Sequence, residues 1–337
     1  MKVLVTGAAG FIGSNLVYHL LESRPSWKIT ALDLLTYAGN IENIAGLIND
    51  RRIEFIKCDI ADPATVNELF AEKGFDLVFH LAAESHVDRS IHSAAEFIKT
   101  NVVGTQVLLD AALSSKVSRF VHISTDEVYG SLGPTGYFYE TTLLDPTSPY
   151  AASKAASDLI VLAYFKTHGL ETVVTRCTNN YGPYQFPEKL IPLFVTNALE
   201  DKPLPLYGDG LNVRSWIYVR DHCEALLCAA EKGVAGEVYN IGGTSDGEVN
   251  NRVVTAAILE ILKKPETLIK PVKDRPAHDR RYAVDSSKIN GIGWKAGILF
   301  REGLEKTIKW YVDNRSWWQS IKTGAYLEYY ERNYGAR

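Results

Sequence analysis

A chain of 337 residues, 46% hydrophobic and 23% charged, has the balance of an ordinary globular protein, which excludes a disordered or fibrous one. Its formal net charge of −4 gives no overall basic footprint, so no nucleic-acid partner is expected and an anionic ligand must be held by local groups. The length allows a sizeable core and two lobes.

The first residues run straight into an apolar strand, Lys2–Thr6, so no signal peptide is expected. No segment approaches the roughly 18 unbroken apolar residues of a spanning helix, so no membrane partner is expected and a cytoplasmic location is the default. Directly after that strand comes Gly7-Ala8-Ala9-Gly10-Phe11-Ile12-Gly13, a GxxGxxG run opening a helix whose Val17, Leu20 and Leu21 are spaced for burial. Glycines there make a tight turn and let backbone N–H groups and a helix N-terminus approach a pyrophosphate. Such a turn can also be purely structural.

The second strand, Lys28–Asp33, ends on a carboxylate 33 − 7 = 26 residues after the first glycine. There it can accept from adenosine ribose hydroxyls and repel a 2′-phosphate, which favours NAD over NADP. A lone strand-end Asp could equally be a turn or helix cap. Strands Ile53–Cys58 and Leu77–Leu81 follow, ending on Asp59-Ile60 and Leu81-Ala82-Ala83, at the edge where such sheets bind ligands. Val102, Val107, Leu108 and Ala111 mark an intervening helix.

The strand Arg119–Ser124 runs into Thr125-Asp126-Glu127. Two adjacent carboxylates could simply face water. Beside a redox cofactor they suggest proton removal at one carbon and proton delivery to a leaving oxygen. Tyr150 and Lys154 then stand four apart, on one face of a helix beginning near Pro149. The Lys ammonium is expected to lower the Tyr pKa and make a usable base, although this pair also fits an ordinary amphipathic helix.

After the strand Glu171–Arg176, prolines 183, 187, 192, 203 and 205 and the turn Gly208-Asp209-Gly210 break the rhythm. A strand-like stretch then leads into a helix around Asp221–Glu231, and Glu237–Ile241 reads as another strand. The expected fold is α/β, a doubly wound, mostly parallel Rossmann-type sheet with a smaller mixed α/β lobe. The first domain takes residues 1–177 and 215–244; the second takes 178–214 and 245–337. Cys58, Cys177, Cys223 and Cys228 are scattered, fit no zinc pattern and read as core residues; no metal is expected.

Gly7–Gly13, Asp33, Ser124 and the Tyr150/Lys154 pair resemble the extended branch of the short-chain dehydrogenases/reductases. Within it, the run 83–90 (AESHVDRS), Thr125-Asp126-Glu127, Asn179-Asn180-Tyr181-Gly182-Pro183 and the run 274–282 (DRPAHDRRY, with Asp274 and Tyr282 at its ends) resemble the dTDP-glucose 4,6-dehydratases. That resemblance covers nearly the whole chain and rests most on the Thr-Asp-Glu run. It implies a lyase of deoxysugar biosynthesis with recycled NAD. Tyr150 would take the C4 hydroxyl proton while Lys154 holds the nicotinamide ribose. Glu127 would take the C5 proton and Asp126 would protonate the departing C6 hydroxyl. Thr125 and Ser124 would hydrogen-bond near the C4 oxygen.

The same resemblance implies further cofactor contacts at Leu34, Leu35, Thr36, Thr100 and Asn180. For the nucleotide sugar it implies Ser85, Asn179, Lys189, Leu190, Ile191, Pro192, Leu193, Phe194, Pro205, Leu206, Tyr207, Arg214, Asn250, Asp274, Arg275, Pro276, Ala277, His278 and Tyr282. Arg214, Arg275 and Arg281 suit a diphosphate, because guanidinium forks pair with phosphate oxygens. Departures from the pattern are Ser215 for Asp, Ala277 for Gly, and Val249-Asn250-Asn251-Arg252.

The aromatic tail (Trp310, Tyr311, Trp317, Trp318, Tyr326, Tyr329, Tyr330) reads as packing of terminal helices. The resemblance further implies a homodimer through the helices of Asn101–Ser114 and Tyr150–His168. A nucleotide-sugar 4-epimerase or decarboxylase would share Tyr150 and Lys154 but needs no acid for a C6 hydroxyl. A non-catalytic NAD-binding regulator would need none of the four reactive side chains.

Overall fold

The expected strands form within one residue of their expected ends, and the computed structural model describes residues 1–274, 279–324, 326 and 330. The first six are β1 (Lys2–Thr6), β2 (Lys28–Asp33), β3 (Glu54–Lys57), β4 (Leu77–His80), β5 (Arg119–Thr125) and β6 (Thr172–Cys177). After them come β7 (Asn179–Tyr181), β8 (Leu204–Tyr207), β9 (Val213–Tyr218), β10 (Val238–Ile241), β11 (Glu248–Asn250) and β12 (Ile269–Val272). Seven pair in parallel in the order β3-β2-β1-β4-β5-β6-β10.

This sheet is covered on both faces, and its alternating side chains enter two separate cores. Val3, Val5, Phe79 and Val121 join Leu16, Leu20 and Leu226 from the helices Phe11–Ser23 and Val219–Lys232. Their neighbours Leu4, Val78 and Phe120 join Phe70, Leu108 and Val161 from the helices Pro63–Lys73, Thr105–Ser114 and Pro149–His168. Each such side chain contributes roughly 1.5–3 kcal/mol by burial. The strand order reverses between β1 and β4, and a crevice opens there at the carboxyl ends.

The smaller lobe holds the mixed sheet β11-β9-β7 and the parallel pair β12-β8. Helices Leu190–Leu199, Asn251–Leu262 and Phe300–Asp313 close its core around Phe194, Trp216, Ile258 and Leu304. β9 runs Val213–Tyr218, so the change of lobe comes at its end, where the helix Val219–Lys232 returns to the large sheet. Tyr311 and Trp318 of the aromatic tail are fully buried in this lobe; Tyr329 lies outside the described residues. Among the described residues no helix is long and apolar enough to cross a membrane.

Candidate active site

The glycine run folds into a turn that only glycine fits. Gly7 takes φ 69°, and a Cβ there would lie 2.7 Å from the Ala82 nitrogen. A Cβ on Gly13 would lie 2.0 Å from the Gly7 carbonyl oxygen. The helix Phe11–Ser23 therefore starts hard against the turn, without a side-chain cap at Gly10. Asp33 braces this turn, accepting from the Ala9 N–H at 3.0 Å and the Leu35 N–H at 2.8 Å. Burial raises its pKa, against the pull of those N–H groups.

A long cleft follows. It is lined by Gly7, Gly10, Phe11, Ile12, Gly13, Asp33, Leu34 and Thr36, then by Asp59, Ile60, Leu81, Ala82, Ala83, Ser85 and Thr100. Its far end is lined by Thr125, Asp126, Glu127, Tyr150, Lys154, Asn179, Asn180 and Lys189. Leu35 is the exception among the expected cofactor contacts. Its backbone enters the left-handed region at φ 58° and its side chain packs against the sheet core. The cleft fits a dinucleotide: a bare helix N-terminus at one end, and at the other the buried Ser124 Oγ and Thr178 Oγ1, which have no hydrogen-bond partner among the described residues.

At the end of β5 the chain makes a single 3-10 turn, Asp126–Tyr129, capped by Thr125, whose Oγ1 accepts from the Glu127 N–H at 3.3 Å. The turn gives the two adjacent acids opposite surroundings. Asp126 is buried, and burial followed by the Glu127 charge raises its pKa to about 8. Glu127 lines both this cleft and a second one in the smaller lobe.

Tyr150 sits in the first turn of the helix Pro149–His168, behind Pro149 and the Ser148 cap. Its phenol does not have the lowered pKa expected from Lys154. Burial first and Glu127 second push it well above the ordinary value, while a hydrogen bond with Thr125 pulls the other way. Lys154 donates to the Ile123 carbonyl at 2.8 Å, a partner that helix spacing alone does not reveal.

The second cleft is lined by Asn179, Lys189, Leu190, Leu193, Phe194, Pro205, Leu206, Tyr207, Arg214 and Tyr282. Arg214 lies 4.5 Å over the Tyr282 ring, with its fork anchored on the Asp279 carbonyl. Ile191 packs in the lobe core and Pro192 lies buried in the helix, so neither lines the cleft. A helix turns a full circle in about 3.6 residues, and a run such as 189–194 cannot all face one way. Asp274 approaches Gly208 instead of the cleft wall, and Arg275, Pro276, Ala277 and His278 lie outside the described residues.

A sequence-family model described as GDP-mannose 4,6 dehydratase matches residues 4–307. A dTDP-glucose 4,6-dehydratase of Streptomyces antibioticus is 52% identical over 96% of this chain and 96% of its own length. The solved structure of a dTDP-glucose 4,6-dehydratase from Streptomyces venezuelae, with NAD bound, superposes with a TM-score of 0.92. It is 49% identical and covers 96% of this chain and 100% of its own. This chain belongs to the dTDP-glucose 4,6-dehydratase family. A UDP-glucose 4-epimerase of Thermus thermophilus, solved in complex with NAD, is more distant: 32% identical, TM-score 0.86, covering 93% of this chain and 100% of its own.

Two departures from the pattern of the dTDP-glucose 4,6-dehydratases have a structural account. Ser215 pairs across the sheet with Glu248, whose Oε1 accepts from Arg281 Nε at 2.6 Å. The pairing sets a carboxylate of β11 opposite Ser215 of β9. Arg281, expected at a diphosphate, is held by Glu248 and the Gly136 carbonyl and lines neither cleft. Asn250 caps the helix Asn251–Leu262, accepting from the Val253 N–H at 3.0 Å, and Asn251 lines the cleft in its place.

Sequence reasoning missed the residues that hold the cleft wall from behind. His222, kept neutral by burial that lowers its pKa to about 3, donates from Nδ1 to Asn180 Oδ1 at 2.8 Å. Asn180 Nδ2 in turn donates to the Thr178 carbonyl, which fixes the amide's orientation. From the aromatic tail, Tyr326 donates to the Pro187 carbonyl at 3.0 Å, bracing the loop that carries Gln185 and Phe186, and Trp317 donates at 2.8 Å to Asn43, whose amide in turn donates to the Ala9 carbonyl of the glycine turn. No local motif marks such contacts, which join residues remote in the chain.

Proposed function

We propose that this chain is a hydro-lyase that converts dTDP-glucose into the 4-keto-6-deoxy sugar nucleotide, with NAD regenerated at each turnover. The reading is carried by one observation: a buried acid held protonated, Asp126, stands next to a carboxylate that borders both clefts, Glu127, beside Tyr150. NAD would be held along Gly7–Gly13 and Asp33 with Asn180 at its nicotinamide end, where its oxidised ring would accept and later return one hydride and would bring local positive charge.

Tyr150 would take the C4 hydroxyl proton as the phenolate, the Lys154 ammonium and the positive nicotinamide ring offsetting the burial that otherwise raises its pKa, with Thr125 hydrogen-bonding near the same oxygen. The resulting ketone acidifies C5–H, and Glu127 takes that proton. Asp126, carrying its proton at neutral pH, delivers it to the C6 hydroxyl, which leaves as water, and Glu127 would return its proton to C5 as C6 receives the hydride. Leu190, Leu193, Phe194 and Tyr207 form the apolar wall for the nucleoside, and Arg214 faces the diphosphate. A 4-epimerase needs no acid at C6, so a protonated Asp126 supports elimination over epimerisation.

Supplied with dTDP-, UDP-, GDP- and CDP-glucose, the enzyme gives an alkali-induced 4-keto chromophore, with the highest kcat/KM for the dTDP sugar. Mass spectrometry of the acid-released supernatant finds NAD, since a cofactor reduced and reoxidised in place gains nothing from exchange. Absence of keto product sinks the dehydratase reading, and recovery of NADP overturns the reading of Asp33.

The chain acts in the cytoplasm as a homodimer built on the helices Thr105–Ser114 and Pro149–His168 with the preceding Ile98–Gly104 segment. Ile98, Val103 and Leu159 support this, standing 55%, 42% and 59% exposed on those elements. Light scattering should give twice the 37.4 kDa chain mass, and Leu159→Glu should shift it toward the monomer. A monomeric wild-type enzyme would contradict the assembly.

A further inference from the structure

The helix Pro149–His168 carries three polar side chains at four-residue steps, Tyr150, Lys154 and Asp158. The third takes no part in the dehydration chemistry, yet it is 0% exposed, and Lys154 is 4% exposed. Around them lies a closed cluster. His122 of β5 places Nε2 at 3.5 Å from Lys154 Nζ, 3.2 Å from Ser157 Oγ and 3.4 Å from Asp158 Oδ1. Arg176 of β6 donates through Nε to Asp158 Oδ2 at 2.8 Å and through its terminal nitrogen to Tyr129 at 2.9 Å. His80 of β4 stacks obliquely on His122, ring centres 5.2 Å apart, and is pinned between Thr6 and Thr105.

An ammonium buried this deeply is costly unless an anion faces it. Burial draws the Lys154 pKa down to about 8, and Asp158 opposes that fall. The other groups around it bring no negative charge at neutral pH. His80 and His122 are kept neutral by burial, and burial pushes the Cys177 thiol of β6 up to about 12. The Tyr150 phenol is held protonated, chiefly by burial. Arg176 is itself a cation, matched to Asp158. Burial alone would push Asp158 toward the neutral acid, but His122, Arg176 and Lys154 together hold it below its ordinary value. Among the described groups acting on Lys154, Asp158 is the one that remains an anion.

We propose that Asp158 is a positioning residue for this reaction: its carboxylate stands one helical turn beyond Lys154, across His122 Nε2 from the ammonium, and keeps that ammonium charged so that the cation serves Tyr150 and the cofactor ribose. Arg176 and His122 fix Asp158 in turn. The catalytic consequence rests on the dehydratase reading above; the effect of Asp158 on Lys154 does not.

The test is a titration of the holoenzyme labelled with 13C at lysine Cε. One resonance, missing from Lys154→Met, titrates near pH 8, and Asp158→Asn lowers its midpoint by about one pH unit or more. The alkaline limb of the C4 oxidation rate moves down with it, while Asp158→Glu restores most of both. Should Asp158→Asn fail to fold, Asp158→Asn/Arg176→Gln, which removes both charges of the buried pair, is expected to lower the midpoint likewise. An unmoved midpoint with a reduced rate shows a merely structural role and overturns the proposal. Wild-type enzyme that yields no keto product, with the midpoint still moved by Asp158→Asn, refutes the dehydratase reading and leaves the effect of Asp158 on Lys154 standing.

Discussion

Glu127→Gln oxidises C4 but stalls before water leaves, so enzyme-bound reduced nicotinamide accumulates within a single turnover and steady-state turnover falls by roughly 10²–10⁴. The amide keeps the side chain's shape at the junction of the two clefts yet cannot take the C5 proton. Asp126→Asn slows the same elimination for a different reason, the loss of the proton destined for the C6 oxygen. A substrate bearing fluorine at C6 separates the two roles. Fluoride leaves with much less protonation, so the Asp126→Asn defect shrinks while the Glu127→Gln defect persists. Since Asp126 loses its proton as pH rises through about 8, elimination from the natural substrate declines above that pH, and elimination of fluoride declines less. Equal rescue of both variants by fluorine would contradict the division of labour.

Tyr150→Phe abolishes the first oxidation, with a loss of roughly 10²–10⁴ in rate and sugar-nucleotide affinity almost unchanged. Only the phenolic oxygen is removed. The ring keeps its edge-on packing against Phe97, 6.3 Å between centres, so the helix N-terminus and Ser148 cap are undisturbed. In stopped flow no reduced nicotinamide should appear on mixing with substrate, in contrast to Glu127→Gln, where it appears and persists. Together the two variants place the block on either side of the oxidised sugar. Wild-type turnover by Tyr150→Phe would show that another group is the base.

Much of this was readable from local sequence, because the relevant forces are local. Continuous apolar runs bounded by turns became β1 to β6, since strands covered on both faces need no polar alternation. Gly7 and Gly13 announced a turn that a Cβ would destroy, and Thr125-Asp126-Glu127 capped its own 3-10 turn. The resemblance of those motifs carried the family.

What the tertiary structure alone decided is where each side chain points and which form it holds. Asp126 and Glu127 are adjacent carboxylates in sequence; burial raises the pKa of the first, while the second borders both clefts. Leu35 and Ile191 lie in runs expected to touch ligand, and the left-handed turn at one and the helical rotation at the other send them into cores. Asn251 lines the cleft where Asn250 was expected, because Asn250 is engaged as a helix cap. Tyr150 and Lys154 stand on one helical face as their spacing requires, but β5 offers the ammonium a carbonyl, and burial raises the phenol. Spacing along the chain fixes only the relation of near neighbours. Charge state depends on desolvation and on partners such as Arg176 and His122, brought from remote strands by the fold.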